Sequence, residues 1–280
     1  MGTGESARRG DGRARLRELS LAELRERFGG SGGAIGDAAL AALRRDPRRG
    51  ARDLATQLRR RRERDAAENA HLDALWSCER ELRPAGATRA AGVDEVGMGP
   101  LAGPVVAAAV VLPDGVRILG LRDSKRLTPA ARERLAEEVR AVALAVSIGV
   151  TGRAEIDRIN IYHAGLLAMR RAVVQLTPRA DGVLVDARRI PRIGVPQAPV
   201  VGGDDRVASI SAASIVAKVY RDTLMRELDA RYPGYGFAHN HGYGTAEHLD
   251  ALERLGPTPE HRRSFAPVAR ATRPTVVIEA

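Results

Sequence analysis

From Ala90 onward, short runs of consecutive apolar residues alternate with segments whose apolar positions recur every three or four residues. GVD (92–94), VVAAAVVL (105–112), ALAVSIGV (143–150), GVLVD (182–186) and APVV (198–201) have the length and composition of strands. Thr128-Pro129 opens a helix with Ala131, Leu135, Val139 and Val142 on one face. Ile159–Leu176 predicts a second helix. From Asp204 to about Arg231 a third is expected, with Val207, Ile210, Ala213, Val216, Tyr220 and Leu224 at helical spacing. Its interleaved Ser and Ala (SISAASIVAK) point to close burial against a sheet. Strands alternating with helices predict an α/β domain over 91–268.

The first 83 residues have a different pattern. Residues 1–19 are Gly- and Arg-rich and predict a disordered tail, and 269–280 are expected as a C-terminal tail. SLAELRERF places Ser20 and Glu23 in capping-box register. GGSGGAIG (29–36) interrupts, and Asp46-Pro47 then signals the start of a long helix to about Arg83. Leu54, Leu58, Leu72, Leu75 and Leu82 form its apolar stripe, with Trp76 and Cys78 expected in the packing of this N-terminal unit. The expected domains are a helical basic accessory region (20–83), a linker (84–90) and the α/β domain.

Composition narrows the picture. The longest apolar run is far too short to span a bilayer, and the N-terminal MGTGESARRG lacks a signal-peptide core. Cys78 is the single cysteine, which excludes an internal disulfide and cysteine-built zinc sites and fits the cytoplasm. A net charge of +10 favours a polyanionic partner, nucleic acid first. All the basic residues except Lys125 and Lys218 are arginine, which suits two-pronged phosphate contacts. Arg44 to Arg64 is the most basic stretch, either a solvated face or an element that grips duplex phosphates.

Acids collect at the ends of the strand-like runs: Asp94 and Glu95 in GVDE, Asp186 in VLVD, Asp204 and Asp205 in VVGGDD. Any one of them is by default a turn or cap residue. Together, in an α/β domain whose sites form at strand C-termini, they point to hard divalent cations, Mg²⁺ or Mn²⁺. Two such ions among four carboxylates are a standard arrangement for phosphodiester chemistry. Adjacent Asp94 and Glu95 should face opposite sides of a regular strand, so their joint action needs a strand end or a distortion.

The motifs GVDEVGMGPLAGPVVAAAVVL, DSKRLTP, INIYHAGLLAMRRAV, VLVDARRIP, VVGGDDRVASISAASIVAKVYRD, YPGYGFAHNHGYGTAEHL and GPTPEHRRSFAPV closely resemble, in order over Ala91–Val268, those of bacterial ribonuclease HII. The resemblance implies a ribonuclease H-like mixed sheet flanked by helices, with a mainly helical N-terminal extension in front. It implies endonucleolytic cleavage of RNA paired to DNA and incision 5′ of ribonucleotides embedded in duplex DNA, leaving 3′-hydroxyl and 5′-phosphate ends. The implied catalytic and metal residues are Asp94, Glu95, Asp186 and Asp204, with Asp205 as the rival for the last. Two divalent ions are implied, and a monomer is expected. Substrate contacts are implied for Gly97, Met98 and Gly99, which sense the sugar 2′-hydroxyl, for Ser124, Lys125 and Lys218, and for Tyr243, which stacks on the sugar. Arg262 and Arg263 are either phosphate contacts or ion-paired structural residues. Tyr235 and Phe237 read as packing, and His239 and His241 as loop or substrate-facing residues.

Four departures from the family pattern lie on the substrate side. Met98 stands for the usual Arg, Ala187-Arg188 for Gly-Asn, Gly202 for Lys, and Asn240-His241-Gly242-Tyr243 for His-Lys-Gly-Tyr. They bear on binding strength and single-ribonucleotide preference more than on the chemical step. Two alternatives stay open at this level: a ribonuclease HIII-like hybrid nuclease without that preference, and a hybrid-binding protein whose site has drifted.

Overall fold

The computed structural model describes residues 16–29 and 35–271. Most of both expected tails, and residues 30–34 of the glycine interruption, lie outside them. The chain forms two compact units, Met1–His71 and Leu72–Ala280. No helix among the described residues is long and apolar enough to cross a membrane.

The first unit contains α1 (Leu21–Gly29), α2 (Asp37–Arg44) and the start of α3 (Arg49–Leu82) around Leu24, Leu43, Leu54 and Leu58. The capping box closes reciprocally: Ser20 N donates to Glu23 Oε2 at 2.7 Å and Glu23 N to Ser20 Oγ at 3.2 Å. Asp46 is buried and held down to about pKa 2, chiefly by the hydrogen-bonded Arg48 side chain. Its carboxylate accepts from the Arg48 amide at 2.9 Å, one residue before α3 begins.

The second unit is a five-stranded mixed sheet in the order β3-β2-β1-β4-β5. The strands are β1 (Ala90–Val96), β2 (Val105–Val111), β3 (Ala145–Thr151), β4 (Gly182–Asp186) and β5 (Gln197–Val200). β2 pairs antiparallel with β1 and β3; β4 pairs parallel with β1 and β5. Helix α4 (Pro129–Val142) starts where Thr128 Oγ1 accepts from Ala131 N. Helices α5 (Arg153–Gln175) and α6 (Ala208–Arg231) pack on opposite faces. Two glycines permit this closeness: a Cβ on Gly92 would lie 2.0 Å from the Ser209 carbonyl carbon of α6, and one on Gly149 would lie 1.9 Å from the Ala168 oxygen of α5. Every second residue of β1 therefore meets α6, and the intervening ones, Ala91 and Val93, meet α5.

Three expectations need correction. The helix predicted from Asp204 begins at Ala208, because Gly203–Asp205 form a 3-10 turn first. The helix predicted from Ile159 begins at Arg153 and breaks at Asn160 (φ 65°), whose Oδ1 accepts from His163 N and caps the second segment. Trp76 and Cys78 do not pack in the N-terminal unit. Trp76 joins the Val106, Ala108 and Val110 cluster under the sheet and donates to the Val116 carbonyl at 2.9 Å, while Cys78 packs by Leu184 and Ile210. The end of α3 thus supplies part of this core, and its buried Glu79 accepts from Ser209 N at 2.8 Å, capping α6 from outside.

Two buried arginines hold the loop from Gly97 to Pro104. Arg262 donates to the carbonyls of Gly97, Met98, Pro100 and Gly103 at 2.6–3.2 Å. Arg221 donates to Pro104, His241 and Ala102. Burial lowers the pKa of both, to about 9 and about 10, still far above neutrality. Arg262 is therefore a structural clamp rather than a phosphate contact or half of an ion pair, while Arg263 uses its backbone amide on Asp157.

A cluster of Tyr235, Phe237 and Ala251, with α7 (Phe237–Asn240) and α8 (Ala246–Leu255) beside it, surrounds two buried histidines. Tyr235 and Phe237 stack at 5.4 Å, so both pack as expected. The Thr258 amide donates to His261 Nδ1 at 2.9 Å, which puts the ring proton on Nε2. That proton is donated to His248 Nε2 at 3.0 Å, so His248 carries its own on Nδ1 and donates to the Tyr243 carbonyl at 2.8 Å. The order works only while both rings are neutral. Burial and the neighbouring His248 push His261 down to about pKa 4.

A depressed histidine contributes stability that is complete above its unfolded value near 6.5 and is lost as pH falls toward 4. Denaturant unfolding should show up to about 3 kcal/mol of loss over that window. His261→Asn, which can still accept and donate, should flatten the slope; an unchanged slope would refute the assignment. Arg262→Ala strands four carbonyls and should cost roughly 2–4 kcal/mol by the same measurement. Arg262→Lys should rescue little, since an ammonium cannot reproduce the fork.

Candidate active site

β1 and β4 run parallel and stay paired through Val93 and Val185, so Asp94 and Asp186 emerge at the same sheet edge. Asp94 follows Gly92 onto the α6 side, where Ser214 hydrogen-bonds it. Glu95 lies on the opposite side, with its Oε1 3.3 Å from Arg188 Nη1. The strand does not kink. Both acids stay paired with β2, opposite Ala108 and Ala107, just past the last β1–β4 pair, and reach that edge from opposite faces.

Asp186 Oδ1 accepts from Gly203 N at 2.8 Å, which ties β4 to the 3-10 turn carrying Asp204. Asp204 is buried, and its Oδ2 accepts from Lys125 Nζ at 3.0 Å. Asp205 points elsewhere and pairs with Arg126 at 3.2 Å. Ser124 is buried and shares a 2.9 Å hydrogen bond with Ser214, which in turn reaches Asp94.

Burial first, then Glu95 and Asp186, raises the Asp94 pKa well above the usual carboxylate range. Burial pushes Glu95 up to about 7 despite Arg188. Asp186 is raised by burial and by Asp204, against the Gly203 amide. The acids thus act electrostatically as one group. Among the described residues, however, no three or more His, Cys, Asp or Glu are closed round a common point as a metal site. They stand as neighbours, with Lys125 and Arg188 among them. Hard oxygen donors, mutual repulsion and a buried Glu95 Oε2 without a hydrogen-bond partner fit a divalent cation.

Beside the acids, Gly97 adopts φ 93°, and a Cβ there would strike Arg221 Nε at 2.3 Å. A Cβ on Gly99 would lie 3.3 Å from the half-exposed Tyr243 ring, so that ring lies along the Gly97–Gly99 shelf. Lys218 is not brought to the acids. It donates to Asp222 Oδ1 at 2.6 Å, and burial lowers its pKa. His241 lies 3.5 Å from the same Asp222, while His239 sits in α7.

Sequence reasoning missed Ser214, Glu79 and the part played by Arg188. The serines of SISAAS were legible as small packing residues, but nothing in their spacing marks Ser214 as the partner of Asp94. Arg188 was visible only as a departure. Its placement follows from Ala187, which adopts φ 50° directly after β4 at a cost of roughly 1–2 kcal/mol for a residue with a Cβ.

The model of the ribonuclease HII family matches residues 91–268, and that of the ribonuclease HII N-terminal domain matches 20–83. Ribonuclease HII of Anaeromyxobacter sp. (strain Fw109-5) is 52% identical over 256 residues, 91% of this chain and 81% of that protein. Among solved structures, ribonuclease H2 of Pyrococcus horikoshii OT3 superimposes with a TM-score of 0.58 at 24% identity, covering 66% of this chain and 97% of its own. Bst-RNase HIII in complex with Mn²⁺ gives 0.55 at 21% identity, covering 69% and 71%. These two likenesses bear on the fold, and they agree with the mixed sheet described above. The family matches and the identity carry the rest: this chain belongs to the ribonuclease HII family, the ribonuclease H endonucleases.

Proposed function

We propose that this endonuclease cleaves RNA in RNA/DNA hybrids and incises 5′ of single ribonucleotides embedded in duplex DNA, leaving 3′-hydroxyl and 5′-phosphate ends. The observation that carries this reading is the four-acid edge of Asp94, Glu95, Asp186 and Asp204 standing next to the shelf of Gly97, Met98, Gly99 and Tyr243. Mg²⁺ or Mn²⁺ held by those acids supplies nucleophile activation and charge stabilisation for phosphodiester hydrolysis. The solved Mn²⁺ complex of the ribonuclease HIII relative supports the choice of ion.

The chain's own residues have separable tasks. Ser214 and the Gly203 amide fix the carboxylates of Asp94 and Asp186 before any ion arrives. Asp204, rather than Asp205, is the fourth ligand, because Asp204 is buried and its charge acts on Asp94 and Asp186, whereas Asp205 is exposed and faces Arg126. Lys125, whose side chain is largely exposed beside Asp204, offers its ammonium to a phosphate. The glycine shelf lets backbone approach a ribose edge, and Tyr243 lies along it to stack on the sugar. Buried Arg262 and Arg221 keep that shelf rigid, so recognition through backbone groups tolerates Met98. Lys218, engaged with Asp222, acts at most on the edge of the substrate groove.

The helical N-terminal region is proposed to add phosphate contacts without reading sequence. Arg59, Arg60, Arg62 and Arg64 are exposed there, although Arg59 and Arg62 also pair with Glu63 and Asp37. A cytoplasmic monomer completes the proposal.

The test uses three labelled duplexes in Mg²⁺ and in Mn²⁺: DNA with one ribonucleotide, an RNA/DNA hybrid, and all-DNA. One cut on the 5′ side of the lone ribonucleotide, lost in Asp94→Asn, is the expected result. Cleavage of the hybrid alone would remove the junction preference. No cleavage of either with duplex binding intact would overturn the enzymatic assignment of these acids.

A further inference from the structure

Arg188 is placed with unusual care for a residue that no metal chemistry requires. It follows Ala187, whose left-handed backbone turns the chain at the end of β4, and Ala187 N is pinned to the Val200 carbonyl at 2.9 Å. The guanidinium lies 5.4 Å over the Tyr162 ring. Its Nη1 and the Met98 thioether share a hollow over α5 that exists because residue 165 is glycine: a Cβ there would meet Met98 Sδ at 2.9 Å and Arg188 Nη1 at 3.2 Å. From this seat Nη1 reaches Glu95 Oε1 at 3.3 Å, with side chains only 26% and 10% exposed.

The pair is close but poorly bonded. Arg188 Nη1 and Glu95 Oε2 are both buried without a hydrogen-bond partner. A guanidinium that neutralises a carboxylate without hydrogen-bonding it is a counter-ion more than a geometric anchor. It stands at Oε1 of the carboxylate whose Oε2 has no partner. A divalent ion using Glu95 as ligand must therefore replace the Arg188 interaction or share the carboxylate with it.

We propose that Arg188 is a resident counter-ion of the acid cluster that competes with the divalent cation for Glu95 and thereby sets the metal affinity of the site. This rests on the reading of Glu95 as a metal ligand. Before metal arrives, Arg188 offsets repulsion among the acids, as Lys125 does at Asp204. Once metal takes the carboxylate, the guanidinium keeps its stacking seat over Tyr162 and Gly165 and needs no refolding to move aside.

The experiment is a calorimetric titration of the full chain with Mn²⁺ alone, without nucleic acid, at fixed pH 8 and fixed ionic strength. Parent, Arg188→Met and Arg188→Lys are compared, with melting temperatures measured in EDTA and in Mn²⁺. The Met variant keeps length without charge and should bind Mn²⁺ with about tenfold lower Kd, equivalent to roughly 1.4 kcal/mol. It should melt lower than the parent in EDTA and gain more on adding Mn²⁺. The Lys variant should stay within about threefold of the parent, since charge rather than shape is what competes. A Met variant with unchanged or weaker Mn²⁺ binding overturns the proposal, weaker binding meaning that Arg188 orients Glu95 instead. If neither parent nor variants take up Mn²⁺, the metal assignment itself fails and the counter-ion role falls with it. That outcome is distinct, because it shows in the parent alone.

Discussion

Four carboxylates must share one sheet edge without tearing it apart, and much of the second unit is arranged around that repulsion. Asp94 is raised by burial first and by Glu95 and Asp186 second, and Glu95 by burial, which Arg188 partly offsets, and by Asp186, so desolvation and like charge act in the same direction. The fold offsets this with oriented donors rather than with distance. Ser214 serves Asp94, the Gly203 amide serves Asp186, Lys125 serves Asp204, and Arg188 faces Glu95. These donors come from α6, the 3-10 turns around Ser124 and Gly203, and the end of β4. The edge is stable only when the helix seated on Gly92 lies close enough to present Ser214. Removing that closeness would leave Asp94 buried with only the Glu95 amide, which donates to its Oδ1 at 2.7 Å, as a partner.

The neighbouring loop faces the opposite electrostatic problem. Arg221 and Arg262 are fully buried cations with no carboxylate among their hydrogen-bond acceptors; their charge is spread over carbonyl oxygens of Gly97–Pro104 and His241. A backbone with six of its carbonyls, those of Gly97, Met98, Pro100, Ala102, Gly103 and Pro104, held by two guanidinium forks has little freedom to move. The neutral histidine pair extends this order to the Tyr243 carbonyl, so the aromatic ring and the glycine shelf share one support. The proposed backbone recognition of a sugar relies on this rigidity, with Met98 in place of a longer cation. Preorganised groups give up less entropy on binding than flexible side chains do.

The sheet and its acids were legible in the sequence because each depends on short-range rules. Apolar runs bounded by Gly and Asp gave the strands, and acids at their ends pointed to the edge. What the sequence hid depends on contacts between distant segments. Glu79 caps α6 from 130 positions away, and Arg262 binds a loop more than 150 positions upstream. Local reasoning placed Asp204 in the first turn of a helix because Asp commonly caps one. A 3-10 turn intervenes instead, since Val207 occupies the cap position and Glu79 supplies the missing acceptor. Trp76 was assigned to the wrong unit for a related reason: periodicity shows that a helix has an apolar face but not what that face meets. Lys218 has a partner four positions away, Asp222, on the same helix face, a pairing that its reading as a substrate contact did not include.

The substrate-side departures are easier to understand together than singly. Met98 and Arg188 look like two unrelated losses in the sequence, one of a cation and one of an amide. In the fold they share the hollow above Gly165, where a Cβ would lie 2.9 Å from the Met98 thioether and 3.2 Å from the Arg188 guanidinium. An apolar residue at 98 and a cation at 188 are therefore one packing solution. An arginine at both positions would bring two like charges to the same hollow. The positive charge has not left this corner of the site; it stands on β4's exit instead of on the glycine loop, where its first partner is Glu95. A comparison of motifs position by position scores two defects here, whereas the physical unit is a pair whose members constrain each other.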